Sequence, residues 1–368
     1  MSPQADDDER AGRSRRWRPA RRRRLIRVAL CALAALVLLT GGGMTALYLK
    51  LDGNISQIDI DAALGPDRPA DSPGGSLNIL VLGSDSRAGA NGSYGGPDAQ
   101  EGARADTAMI VHLNEEHDAA TVVSIPRDTL VPRPTCERGD GSTAPARERS
   151  MFNEAYTVGG PVCTVKTVEA LTGLRMDHYI EIDFKGFAKL IDTLGGVEIT
   201  TTQAIDDDDS HLTLPAGTHT LDGEQALALV RTRKAIGDGS DLSRIDVQQG
   251  FLRALAEQVS GLGVMSNPKR LYDLADAATS AVTTDSALGS VSELAGLART
   301  MEGIGPDELQ LVTLPVGRDA ADPNRVAPLA EESRQVWRAL REDRPVPRSA
   351  IVDASARRDG GGSVFAGQ

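Results

Sequence analysis

One run dominates what this chain can become. VALCALAALVLLTGGGMTALYL, from Val28 to Leu49, is 22 residues without a charge. At about 1.5 Å of rise per helical residue it matches the roughly 30 Å hydrocarbon core of a bilayer. The preceding stretch, RSRRWRPARRRRLIR, is basic: residues 1–27 hold ten arginines against four acidic residues, a local balance of +6. The far flank carries Lys50, Asp52, Asp59 and Asp61. That asymmetry follows the positive-inside rule. The expectation is an Arg-rich cytoplasmic arm over 1–27, a transmembrane helix over 28–49, and everything after about residue 50 outside the cell. A cleaved signal peptide needs a shorter apolar core and a small-x-small cleavage site, so the span reads as a retained anchor. The arginines serve as a topology signal that also meets anionic lipid.

The formal net charge of the whole chain is −12, so the part beyond the arm carries −18. An acidic domain outside the membrane has no basic face for a phosphate backbone, and nucleic acid is excluded as a partner. Hydrophobic residues make up 40% and aromatics only 3%, so the core must be aliphatic. Of three cysteines, Cys31 falls in the span. Cys136 and Cys163 flank a polar loop in the outer part, where disulfides persist, and are expected to pair. No histidine or second cysteine sits beside either at zinc-ligand spacing.

The remaining chain divides by composition. Residues 50–75, rich in Asp, Pro and Gly, read as an extracytoplasmic stalk. The folded domain is expected over 76–343, and 344–368 as a flexible polar tail. Within the domain, LNILVLG (Leu77–Gly83), TAMIVHL (Thr107–Leu113) and TVVSI read as strands, and HYIEIDF alternates like one. TVKTVEALTGL, KGFAKLIDTLGG, DGEQALALVRTR with Asp222 as N-cap, and DLSRIDVQQGFLRALAEQVSGLG read as helices. VEITT and ELQLVTLPV read as further strands, and 268–304 as further helices. Alternating strands and helices predict an α/β fold, an α/β/α sandwich with a central mixed sheet, preceded by one transmembrane helix.

Charged residues collect where the strands end. LNILVLGSDSR delivers Asp85 and Arg87, ARADTAMIV starts with Arg104 and Asp106, and TVVSIPRD ends in Arg127 and Asp128. Arg231 and Arg233 follow in VRTR, then Arg244 and Gln248 one helical turn apart. Ligands of open α/β sheets bind outside strand ends. Arginine forks suit phosphate oxygens, and carboxylates suit Mg²⁺, which can itself hold phosphate. Asp128 reads as the structural neighbour of Arg127, holding the turn. The run Asp206–Asp209 lacks the spacing of a calcium loop and reads as a solvated turn. The histidines offer neither a zinc site nor a Ser-His-Asp triad by spacing.

These motifs occur in a specific order: an N-terminal anchor, GSDSR, RADT, SIPRD, FNEAYTVGG (Phe152–Gly160), GGVEI, LDGEQALALVRTR and DLSRIDVQQGFL. As a set, from about Leu77 to Val259, they resemble the LytR-CpsA-Psr family of bacterial cell-wall enzymes. The resemblance implies a membrane-anchored phosphotransferase, with its N-terminus cytoplasmic and its catalytic domain extracytoplasmic. It would move a glycopolymer from a polyprenyl-pyrophosphate donor to a peptidoglycan hydroxyl, with Mg²⁺ (or Mn²⁺) as cofactor. By motif, Asp85 and Asp106 would hold the metal. Arg104, Arg127, Arg231, Arg233, Arg244 and Gln248 would bind phosphate, and Asp106, Arg127 and Asp85 would carry the chemistry. The general base stays open between Asp106 and Asp85. An apolar tunnel for the lipid would draw on Ile182, Phe184, Phe187, Leu190, Ile191 and Leu194, which read equally as core. The family's usual Arg-Gln-Gln is here Val247-Gln248-Gln249, so one peripheral phosphate contact is expected to be missing. A hydrolase with water as acceptor, or a non-catalytic membrane-anchored regulator or scaffold of wall assembly, are the alternatives. The identity of the polymer is not encoded in these motifs.

Overall fold

The computed structural model of the chain describes residues 41–84, 105–232, 241–261, 267–351 and 365. The arm and most of the expected span lie outside these. Residues 41–50 are helical, with Met44, Leu47, Tyr48 and Leu49 exposed. Among the described residues no helix is long and apolar enough to cross a membrane. Residues from Leu51 onward form a unit of their own.

That unit is an α/β fold built on a seven-stranded mixed sheet. In chain order its strands are β1 (Ser56–Ile58), β2 (Leu77–Ser84), β3 (Ala105–Leu113), β4 (Ala120–Ser124), β5 (His178–Asp183), β6 (Val282–Asp285) and β7 (Leu309–Thr313). Across the sheet they lie β1-β6-β5-β2-β3-β4-β7. The pairs β1–β6, β5–β2 and β4–β7 are parallel, and β6–β5, β2–β3 and β3–β4 antiparallel. The C-terminal ends of β2, β4, β5 and β7 therefore share one edge with the N-terminal end of β3. Ser84 sits on that edge between Ala105 and Asp183.

The near-continuous apolar runs of β2, β3 and β4 are what a sheet covered on both faces requires. Seven helices are used below: α1 (Glu154–Thr172), α2 (Phe184–Leu194), α3 (Gly223–Arg231), α4 (Asp241–Gly261), α5 (Pro268–Ala281), α6 (Val291–Thr300) and α7 (Ala330–Arg341). On one face Leu80, Leu82, Ile110 and Val123 pack with Val165 and Val168 of α1 and Val336, Trp337 and Leu340 of α7. On the other, Ile79, Val81, Val111 and Ile180 meet Leu297 of α6. A second core joins α2, α3 and α4 to the antiparallel pair Val197–Thr201/Gly217–Leu221, through Ile191, Leu194, Val197, Leu229, Val247 and Phe251. VEITT is thus a strand, but outside the central sheet.

Local signals explain most element ends. Asp222 and Gln225 close a capping box at the start of α3, and Asp183 caps α2 by accepting from the Gly186 amide. Helix α2 stops at Gly195, φ 90°. Helix α1 breaks at Gly159-Gly160 and restarts at Pro161. A side chain at Gly159 would lie 2.8 Å from the Cβ of Cys163 and 2.5 Å from the Glu137 carbonyl oxygen. Gly159 thus packs directly on the Cys136–Cys163 disulfide, which is formed with 5.5 Å between Cα atoms.

Two boundaries differ from expectation. The segment read as a stalk is folded: Ser56–Ile58 is an edge strand, and Ile60 of the following helical turn enters the main core. Arg68, read with it, pairs with Glu169 at 2.6 Å and donates to the Met176 carbonyl. At the other end Val346 and Ala350 are buried in the main core, and Phe365 bridges Thr201. Both segments are too short and too polar for periodicity to reveal them.

Candidate active site

A cleft of about 230 Å³ opens at the sheet edge where β3 begins and β5 ends. The floor comes from Asp106 and Thr107 of β3 and from Phe184, which follows Asp183 of β5. Arg127 stands on one side, three residues beyond β4. Helices α3 and α4 bring Val230, Arg231, Arg244 and Gln248, and the lip is Asp207, Asp209 and Ser210.

Four residues form a closed circuit. Arg127 donates from Nη1 to Oδ1 of Asp106 at 2.7 Å, and its backbone amide donates to Oδ2 of Asp241 at 3.0 Å. Oδ1 of Asp241 pairs with Nη2 of Arg244 at 2.5 Å. The same Nη2 donates to the Asp106 carbonyl at 2.7 Å. Arg127 Nε is buried and has no hydrogen-bond partner among the described residues. Its nearest carboxylate oxygens, on Asp128 and Asp241, lie 3.7 Å away, so this nitrogen is held within the protein by charge. Gln248 links β3 to α3, donating to Thr107 Oγ1 and to the Val230 carbonyl at 3.0 Å each. Gln249 reaches Thr313 Oγ1 of β7 at 3.2 Å. Arg231 lies over the Phe184 ring, 4.8 Å from its centroid.

Beneath the cleft is a buried polar cluster. Glu181 accepts from the hydroxyls of Tyr156, at 2.7 Å, and Tyr179, at 2.6 Å. Burial, followed by the Glu181 charge, raises the Tyr179 pKa above the ordinary phenol value, so this hydroxyl stays a donor.

The structure thus gathers Asp106, Arg127, Arg231, Arg244 and Gln248 into one cleft. Asp85, Arg104 and Arg233 lie outside the described residues. Of the six tunnel candidates, Phe184 lines the cleft, Phe187 is half-buried and stacks near Phe251 at 5.7 Å, and Leu190 is half-buried. Ile191 and Leu194 are enclosed in the second core, and Ile182 pairs with Gly83 and Val282 within the sheet. Asp128 contacts Arg325 at 3.3 Å and Arg127 at 3.7 Å, holding the turn. The aspartate run is not simply a solvated turn. Asp207 is buried, its Oδ1 accepts from the Asp209 amide at 3.0 Å, and Asp209 faces the cleft. Like-charge counting misses an Asx turn of this kind. Asp241 was also missed. Its signal was an aspartate three residues before Arg244, at the start of a helix.

The chain matches the profile of the LytR_cpsA_psr family over residues 47–342. It is 30% identical to the cell wall biosynthesis protein LcpA of Corynebacterium glutamicum, over 90% of this chain and 68% of that protein. It is also 30% identical to the polyisoprenyl-teichoic acid–peptidoglycan teichoic acid transferase TagT of Bacillus subtilis, over 67% of this chain and 74% of that protein. Among solved structures, the LytR-Csp2A-Psr enzyme from Actinomyces oris superposes with a TM-score of 0.58 at 26% identity, covering 77% of this chain and 95% of that one. Sequence, fold and strand-end cleft agree: the chain belongs to the LytR_cpsA_psr family.

Proposed function

We propose that the chain is a membrane-anchored, extracytoplasmic phosphotransferase that ligates a polyprenyl-pyrophosphate-linked glycopolymer to peptidoglycan. The observation that carries this reading is the convergence of Arg127, Arg231 and Arg244 on one small cleft at a strand-end edge. TagT, by its name, is a transferase between a polyisoprenyl-linked polymer and peptidoglycan.

In this reading the donor's pyrophosphate enters between Arg127 and Arg231. The acceptor hydroxyl oxygen forms a bond to the glycan-bearing phosphorus, and the bond from that phosphorus to the bridging oxygen breaks. Polyprenyl phosphate leaves, and the hydroxyl proton passes to a carboxylate, for which Asp106 is placed. The arginines offset charge that builds on the phosphoryl oxygens, and one such donor is worth about 10²–10³ in rate. Phe184 and Val230 keep one wall apolar.

The carboxylates of the cleft, Asp106, Asp207 and Asp209, form an all-oxygen set without His or Cys, which suits Mg²⁺. Among the described residues no group of three or more such ligands is close enough to hold a metal by itself. Mg²⁺ bound by one or two carboxylates and substrate phosphates needs no such cage. Asp106, with Asp85, would hold the ion (Mg²⁺ or Mn²⁺), which would supply further neutralisation of the pyrophosphate.

The test uses the full-length chain in detergent, a polyprenyl-pyrophosphate glycan and a peptidoglycan oligomer. Covalent polymer–peptidoglycan product is expected, and Arg127→Ala should reduce its rate at least about 100-fold. Phosphate release at the same rate without acceptor would make the chain a hydrolase. Absence of both, with normal wall assembly in cells carrying Arg127→Ala, would overturn the enzymatic reading.

A further inference from the structure

Asp241 touches both arginines that anchor the cleft, yet does not itself line it. Its side chain is only 11% exposed, at the first residue of α4. One oxygen takes Arg244 Nη2 at 2.5 Å. The other takes the Arg127 amide at 3.0 Å, and Arg127 Nε lies 3.7 Å from the carboxylate. The helix dipole favours a negative charge at this position. The carboxylate therefore ties the turn after β4 to the start of α4 and fixes where two guanidiniums point.

From this geometry we infer that Asp241 is a positioning residue for phosphoryl transfer, an inference that rests on the transferase reading above. It holds Arg127 and Arg244 in the orientation that meets charge developing on the phosphoryl oxygens. The same carboxylate is a nearby negative charge, so it weakens binding of the anionic donor in the ground state. Removing the charge without removing the side chain must then act in opposite directions. Donor binding is maintained or tightened, while the arginines lose the orientation needed in the transition state. A residue that only supported the fold would lower the active fraction, which the melt and rates per folded molecule reveal, or raise KM together with the loss of rate.

The experiment compares Asp241→Asn with the parent full-length chain, by steady-state transfer from the polyprenyl-pyrophosphate glycan. Asp241→Asn should lower kcat by about 10- to 100-fold, while donor KM stays the same or falls, by up to about threefold. Asp246→Asn removes an exposed charge from the same helix and should leave both constants within about twofold. Thermal melts establish that each variant is folded. If the Asn variant does not fold, Asp241→Glu carries the test. It keeps the charge but displaces the carboxylate by one methylene, and should lower kcat about tenfold at unchanged KM. A kcat within threefold of the parent, or a loss in which KM rises in step, overturns the inference. That outcome leaves the transferase reading standing if Arg127→Ala still loses turnover. If Arg127→Ala transfers normally, the transferase reading fails instead.

Discussion

Opening the Cys136–Cys163 disulfide should be the largest single covalent perturbation available. The bond closes a loop with a sequence separation of 27 residues, and loop-closure entropy for that length is worth about 3.6 kcal/mol at 25 °C. The loop is not peripheral. The Phe152 amide donates to the Thr129 carbonyl, and the Asn153 amide to the Arg127 carbonyl. The middle of the closed segment thus bonds to the turn that presents Arg127. Both cysteines are buried and pack with Ala155 and Val158, so a Cys136→Ala/Cys163→Ala double variant keeps an apolar site while removing the tether. For a unit of this size the loss corresponds to a Tm lower by about 5–10 °C. Differential scanning calorimetry of parent and double variant measures it, and thiol titration in denaturant supplies the covalent check. With three cysteines in the chain, the parent should show one reactive thiol before reduction and three after. Three thiols without reductant would refute the pairing, and a Tm difference under about 2 °C would refute the entropy argument.

Three further changes probe the scaffold of the cleft. Gly223 begins α3 where a Cβ would lie 2.1 Å from the Ala188 carbonyl oxygen of α2. Gly223→Ala should therefore cost about 2–3 kcal/mol in urea unfolding. Tyr179→Phe leaves one Glu181 oxygen without its donor and should cost about 1.5–3 kcal/mol in urea unfolding. Asp285 is pulled both ways. Burial raises its pKa, but His178 and the amides of Tyr179 and Leu288 hold the carboxyl below its ordinary value on balance. A depressed folded value stabilises above the unfolded pKa of about 3.9, and that stability disappears as pH falls through the folded value. Urea midpoints should drop more steeply below about pH 4 in the parent than in Asp285→Asn.

The sheet was legible where strands are long and buried. LNILVLG, TAMIVHL and TVVSI cannot be placed at a solvated surface, and the helices between them announce their ends with Asp222, Gly173 and Gly195. What escaped was short. Ser56–Ile58 joins the sheet with three residues and no apolar alternation, so an Asp-, Pro- and Gly-rich context masked it. Val282–Asp285 follows α5 directly and carries threonines on an edge-side strand, so it read as part of a helical stretch. At the site, ligand-type arginines were found because strand ends and family motifs pointed to them. Asp241 and Asp207 were not, because their work is to hold other side chains and amides. A motif read for ligands gives no weight to an aspartate that contacts only protein.

The charge balance of the cleft bears on the proposed Mg²⁺. Among the described residues, Arg127, Arg231 and Arg244 face Asp106, Asp207 and Asp209, so that part of the lining is formally neutral, and Arg127 Nη1 is already engaged by Asp106. Nη1 carries a second N–H, but the one held by Asp106 reaches a pyrophosphate oxygen only if Asp106 gives it up. A divalent ion on Asp106 would make the exchange favourable, because the carboxylate then gains another partner while the arginine turns to phosphate. Titration calorimetry with inorganic pyrophosphate and the full-length chain should show binding about 10- to 100-fold tighter with excess Mg²⁺ than with chelator, the worth of one charge-assisted hydrogen bond. Asp106→Asn should reverse the sign of the effect in chelator. With its carboxylate gone, Arg127 is released, and the variant should bind pyrophosphate more tightly than the metal-free parent while no longer responding to Mg²⁺. Equal affinity of the parent with and without Mg²⁺ would show that the Arg127–Asp106 pair is not what the metal competes for.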